Sequence, residues 1–119
     1  MMKSNKREIG SAFEKQAGEY LKKIGYSIIE YNFQCRMGEI DIVACDGKTL
    51  VFCEVKYRSD NQKGTPFEAV TVSKQKKICR AALYYMTKHQ ITDTACRFDV
   101  IGITGEKIEI IKNAFDYIS

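Results

Sequence analysis

The chain has 119 residues, 45% of them hydrophobic, which suits one folded domain and excludes a disordered segment. Its formal charge of +4, from 19 basic and 15 acidic residues, is compatible with a polyanionic partner but does not establish one. No apolar leader follows the first residues, and the longest apolar run, Ala81 to Met86, is too short for a bilayer, so a cytoplasmic protein without membrane contact is expected.

Ile9, Phe13, Ala17, Tyr20 (with Leu21) and Ile24 recur at three- and four-residue steps and predict a helix over about 5–24, closed by Gly25 as its cap. Three strands follow, at about 26–35, 39–45 and 49–57, the last two joined by a hairpin turn at Asp46-Gly47-Lys48. A polar loop over 58–65 leads to a turn at Pro66. A second helix is expected over 73–88, with Ser73 as N-cap and Ile78, Ala81 or Ala82, and Tyr85 as its apolar stripe. A fourth strand over 96–104 turns at Gly105-Glu106 into a fifth over 107–112. The order is α-β-β-β-α-β-β, and the economical arrangement is an α/β fold with a central mixed five-stranded sheet flanked by helices.

The cysteines at 35, 45, 53, 79 and 96 are odd in number and show no Cys-x-x-Cys spacing, so buried reduced thiols are expected. His89, the only histidine, reads as a surface or capping residue after a helix end.

The second and third strands carry the chemistry. Alternation puts Glu39, Asp41, Val43 and Cys45 on one face of the second, with Ile40, Ile42 and Ala44 on the other. On the third, Leu50, Phe52, Glu54 and Lys56 share a face. A loop at Asp46-Gly47 sets Asp41 diagonal to Glu54, and a loop at Gly47-Lys48 sets it directly opposite. Either register leaves the two acids on one face, about 5 to 8 Å apart at Cβ, unless a bulge shifts the pairing. Three carboxylates around one lysine repel one another, and a divalent cation such as Mg²⁺ removes that repulsion. Glu54 and Lys56, two apart in a strand, then address one scissile phosphate. The competing reading is a plain Glu54–Lys56 ion pair on an exposed strand. Glu14 is either a solvated helix charge or a further acid for the same site. Lys74, Lys76, Lys77 and Arg80 form a basic face, either solvated or in contact with backbone phosphates, and Arg58 and Lys63 extend it into a rim.

Gly38-Glu39-Ile40-Asp41-Ile42-Val43-Ala44 and Leu50-Val51-Phe52-Cys53-Glu54-Val55-Lys56-Tyr57-Arg58 resemble the YraN-like family of small bacterial proteins. Lys74-Gln75 with Lys77, Cys96-Arg97-Phe98-Asp99-Val100 and the run from Ile108 to Phe115 continue the match over nearly the whole chain. That family is similar in turn to the Holliday-junction-resolvase-like branch of the PD-(D/E)xK nucleases. The resemblance implies a restriction-endonuclease-like three-layer fold, with Asp41 as the metal-ligating acid and Glu54 and Lys56 as the (D/E)xK pair. It implies that Glu14 is a helix-borne acid of the same centre, and that Gln75 is the polar residue on the helix after the motif. Glu39 is a family position without an assigned role. The expectation is a Mg²⁺- or Mn²⁺-dependent endonuclease acting on DNA rather than RNA, with branched DNA as substrate and a homodimer as assembly left open. A silent nucleic-acid-binding module and a protein-interaction surface are the competing readings.

Overall fold

The computed structural model describes residues 6–58 and 65–118, with side chains from residue 11 onward. Two helices and five strands follow in the expected order: α1 (Lys6–Lys23), β1 (Ser27–Cys35), β2 (Gly38–Asp46), β3 (Thr49–Arg58), α2 (Val72–Lys88), β4 (Cys96–Thr104) and β5 (Lys107–Phe115). The strands form one sheet in the order β1-β2-β3-β4-β5. All neighbours are antiparallel except β3 and β4, which run parallel because α2 carries the chain across the sheet between them.

The helices cover opposite faces, giving three layers. On the α1 side, Ala17 and Leu21 pack on Ile42, Ala44, Val51, Cys53, Ile101 and Ile103. On the α2 side, Ile78, Ala81, Ala82 and Tyr85 pack on Val43, Leu50, Phe52, Phe98 and Val100. Both predicted stripes therefore find the sheet, except that Ile24 does not and the Ile9 side chain lies outside the described residues. Ile24 lies past the end of α1 and is 40% exposed.

Helix α1 ends in a Schellman motif. Gly25, at φ 102°, donates its N–H to the Lys22 carbonyl, and Tyr26 donates to Leu21. That closure drops Tyr26 into the core, so the first strand begins at Ser27. The N-cap of α2 is Thr71, whose hydroxyl accepts the Lys74 N–H at 3.2 Å, rather than the expected Ser73. The turn expected at Pro66 is a short 3-10 turn, Phe67–Ala69, with Pro66 at its N-cap.

The fifth strand runs three residues beyond the expected 107–112, because a bulge at Asn113 (φ 53°) lets the pairing resume. The Asp99 carboxylate accepts the Asn113 N–H at 2.9 Å, and Phe115 then stacks on Phe98 at 5.0 Å. Among the thiols, Cys53 and Cys79 are buried as expected, Cys35 and Cys45 are partly so, and Cys96 is exposed; none is paired. Among the described residues, no helix is long and apolar enough to cross a membrane.

Candidate functional site

The β2–β3 hairpin closes at Gly47-Lys48, with Asp46 paired to Thr49 and Ile42 to Cys53. Continued by one step, this register sets Asp41 opposite Glu54, the second of the two arrangements anticipated from sequence. Alternation does not continue unbroken to that point. Ile40 packs with Val43 on the α2 side, whereas Ile42 faces α1. Strict alternation would have put Ile40 with Ile42. The same slip occurs in β1, where Tyr31 meets α1 at Gly18 while Phe33 packs edge-on against Tyr85. Between them stands Asn32 at φ 55°, a left-handed conformation that asparagine tolerates.

The slip turns the Asp41 side chain into the plane of the sheet. Its Oδ2 accepts the Val55 N–H at 2.7 Å, so a carboxylate stands where a strand carbonyl would. Asp41 is 9% exposed and Glu54 only 3%. Burial, the Glu54 charge and the hydrogen bond shared with Glu54 push the Asp41 carboxyl up to about 9, with Glu14 adding to the shift and the Val55 N–H opposing it. Metal-free, the buried pair therefore holds on to a proton at neutral pH.

Glu54 faces the α2 side, where Lys56 Nζ lies 3.3 Å and Lys74 Nζ 3.7 Å from its Oε2. Lys74 comes from the first turn of α2, which the Thr71 cap fixes. Glu14 is half-buried on α1. Its carboxyl is also raised, by burial first and then by the charges of Glu39 and Glu54.

These groups line one open cleft of about 220 Å³: Glu14, Glu39, Asp41, Glu54, Lys56 and Lys74, walled by Phe13, Val55 and Tyr57. The volume is below the roughly 300 to 1,000 Å³ of pockets that enclose small molecules. Among the described residues, no three His, Cys, Asp or Glu side chains are drawn together as a ready-made metal cage. Asp41 and Glu54 form the tight pair, with Glu14 and Glu39 set around it. The donor chemistry still fits a hard divalent cation, since Mg²⁺ is commonly held by one or two carboxylates plus waters and phosphate oxygens.

Of the remaining expected residues, Arg58, Gln75 and Lys77 are not among those that line the cleft. Lys77 lines an adjoining hollow with Gln34, Cys35, Gly38, Glu39 and Lys74. Gln75 donates its amide to the Val70 carbonyl at 3.0 Å, tying the start of α2 to the preceding turn. Arg58 ends β3. Lys63 lies outside the described residues.

Two features were missed from sequence. Phe13 and Tyr57 stack at 3.9 Å between centroids on the cleft wall; the only signal was their adjacency to Glu14 and Lys56. On the α1 face, the fully buried Asp99 accepts from Tyr26 Oη at 2.7 Å and from Arg97 Nε at 3.0 Å. Arg97 also reaches Asp46 at 2.8 Å. Burial and the bond to Asp99 raise the Tyr26 hydroxyl well above its usual range, so it stays a donor. Strand spacing connects Arg97 with Asp99, but no spacing rule connects them with positions 26 and 46.

Fold and cleft together define a three-layer α/β protein with a buried acid pair beside two lysines. The chain belongs to the UPF0102, or YraN, family: it matches the Uncharacterised protein family UPF0102 over residues 13–103. It is 48% identical over 113 residues to a UPF0102 protein of Lachnoclostridium phytofermentans, covering 94% of this chain and 96% of that one. It is 49% identical over 119 residues to a UPF0102 protein of Geobacter metallireducens, covering 97% and 98% of the two chains.

Proposed function

We propose that the protein binds nucleic acid, DNA rather than RNA, and hydrolyses its phosphodiester bonds as a Mg²⁺- or Mn²⁺-dependent endonuclease. The observation that carries this reading is the buried pair Asp41 and Glu54 meeting Lys56 in one open cleft. Two buried acids that share a proton, with Glu54 relieved by Lys56 and Lys74, still offer carboxylate oxygens that suit a divalent cation. Asp41 and Glu54 would hold the ion, with Glu14 on the wall contributing through its charge. Such an ion polarises a phosphoryl oxygen and lowers the pKa of bound water.

The chain's own residues supply the rest. Lys56 sits where it can offset charge developing on a phosphate held beside Glu54. Lys74, with Lys77 in the adjoining hollow, offers contacts to the flanking backbone, which fix position and not sequence. Arg58 and Lys63 are proposed to extend that contact. Branched DNA is the proposed substrate form and a homodimer the proposed assembly.

The test is incubation of the protein with Mg²⁺ or Mn²⁺ and labelled duplex, single-stranded and four-way-junction DNA. Cleavage is expected, abolished in Asp41→Asn and reduced on the order of 10²- to 10³-fold in Lys56→Ala. Absence of products with every metal and every substrate overturns the reading.

One observation favours a second reading, a silent nucleic-acid-binding module. Lys56 and Lys74 already neutralise Glu54 without any cation. That version gives salt-sensitive binding, no metal-dependent products, and a larger loss from removing Lys74 and Lys77 than from Asp41→Asn.

A further inference from the structure

The stacked rings of Phe13 and Tyr57 have no part in holding a metal or a phosphate, yet they stand on the wall of the same cleft. The two rings lie nearly parallel, 19° apart. Phe13 is half-buried on α1, whereas Tyr57 is 50% exposed, among the most open large side chains of the described chain. An aromatic ring held flat by a partner behind it and wet in front is how proteins present a π-surface to a base.

Its neighbours give the surface its context. Lys56 and Tyr57 are successive residues of β3, so their side chains leave opposite faces of the strand, yet both border the cleft. The cleft thus has a cationic wall, Lys56 and Lys74, and an aromatic wall, Tyr57 on Phe13. A nucleotide offers the matching groups, an anionic phosphate and a flat ring. In a duplex the ring faces are covered by neighbouring base pairs, so only an unpaired base presents one.

We infer that Tyr57, backed by Phe13, seats an unpaired nucleobase, and that the preferred ligand is therefore a single-stranded or locally unpaired segment. This rests on the nucleic-acid reading above and adds the strand form to it.

The experiment measures binding of the Asp41→Asn protein in EDTA, where nothing is cut, by fluorescence anisotropy. The probes are a short oligothymidylate and an abasic deoxyribose-phosphate strand of the same length and charge. The base-bearing strand is expected to bind on the order of tenfold tighter. Tyr57→Leu, which keeps apolar bulk against Phe13, should erase that preference without changing affinity for the abasic strand, and Tyr57→Phe should retain it. A purely structural or electrostatic role for Tyr57 would shift both strands alike. Equal binding of the two strands by the parent protein, which needs no variant at position 57, overturns the inference. So does a preference that survives in Tyr57→Leu. If neither strand binds, nor any duplex, the inference and the nucleic-acid reading fall together. DNA binding or cleavage without a base-dependent difference removes the inference alone.

Discussion

Asp41 is the residue on which sequence and structure differ most usefully. Pattern placed it on the face of Glu54, and it does meet Glu54, but by a different route. The strand slips, and the carboxylate lies in the sheet plane on the Val55 N–H. Nothing in Gly38 to Ala44 marks that slip, because Ile40 and Ile42 are equally apolar and either face would accept them. The proximity of the two acids was legible from the hairpin alone; the burial that gives them their character was not. A consequence can be measured in protein stripped of divalent ions. The Asp41 carboxyl lies at 3.8 in an unstructured chain and at about 9 when folded. Between those values the folded state keeps a proton that the unfolded state has released, so stability is greatest at the acid end and falls as pH rises. Urea midpoints should therefore decline from about pH 4 toward pH 9 in EDTA, in the manner of this linkage. Asp41→Asn should flatten the decline and be the more stable protein at pH 8, and saturating Mn²⁺ should restore the parent. Parallel pH profiles for parent and variant would show that the pair is not strained as described.

At the scale of elements, helices and strands were readable because two periods, 3.6 and 2, run cleanly through α2, β3 and β4. Their boundaries were less so. Ser73 and Thr71 are both acceptable caps from composition, and the choice is made by the 3-10 turn that delivers the chain to Thr71. Thr71→Ala should cost about 1 kcal/mol in urea denaturation. Ser73→Ala should stay within about 0.5 kcal/mol, as an exposed position inside the first turn does. The cap also sets where Lys74 begins, so Thr71→Ala should weaken salt-sensitive DNA binding as well as stability. Lys74 was readable as basic surface, but its ion pair with Glu54 was not, since 20 positions and a sheet crossing separate the two.

For the molecule as a whole, the Tyr26–Arg97–Asp99 network ties together, on the α1 face, segments far apart in the chain. Asp99 binds Tyr26 beyond the cap of α1, Arg97 on its own strand β4, and the bulge of β5. Arg97 carries the link on to the end of β2 through Asp46. Asp99→Ala should cost about 3 kcal/mol in urea denaturation, the low end for a broken buried pair because Arg97 keeps Asp46. Asp46→Ala, at a partly exposed carboxylate near the surface, should change stability less. Equal losses from the two would place the weight of the network at the surface. This long-range joint is the part of the fold that sequence reading could least supply, because every contact except Arg97–Asp99, two apart on one strand, depends on topology rather than on spacing.

The two-residue turn at Gly47-Lys48 has a consequence for how the site comes into being. Asp41 and Glu54 meet within a local hairpin, whose closure costs little loop entropy, whereas β4 can join β3 only after α2 has crossed the sheet. The acids are thus brought together early, with Lys56 beside Glu54 on the same strand, and the second lysine, Lys74 from α2, arrives with the slow, distant step. Completing the crossover therefore supplies the second of the two cations that face Glu54.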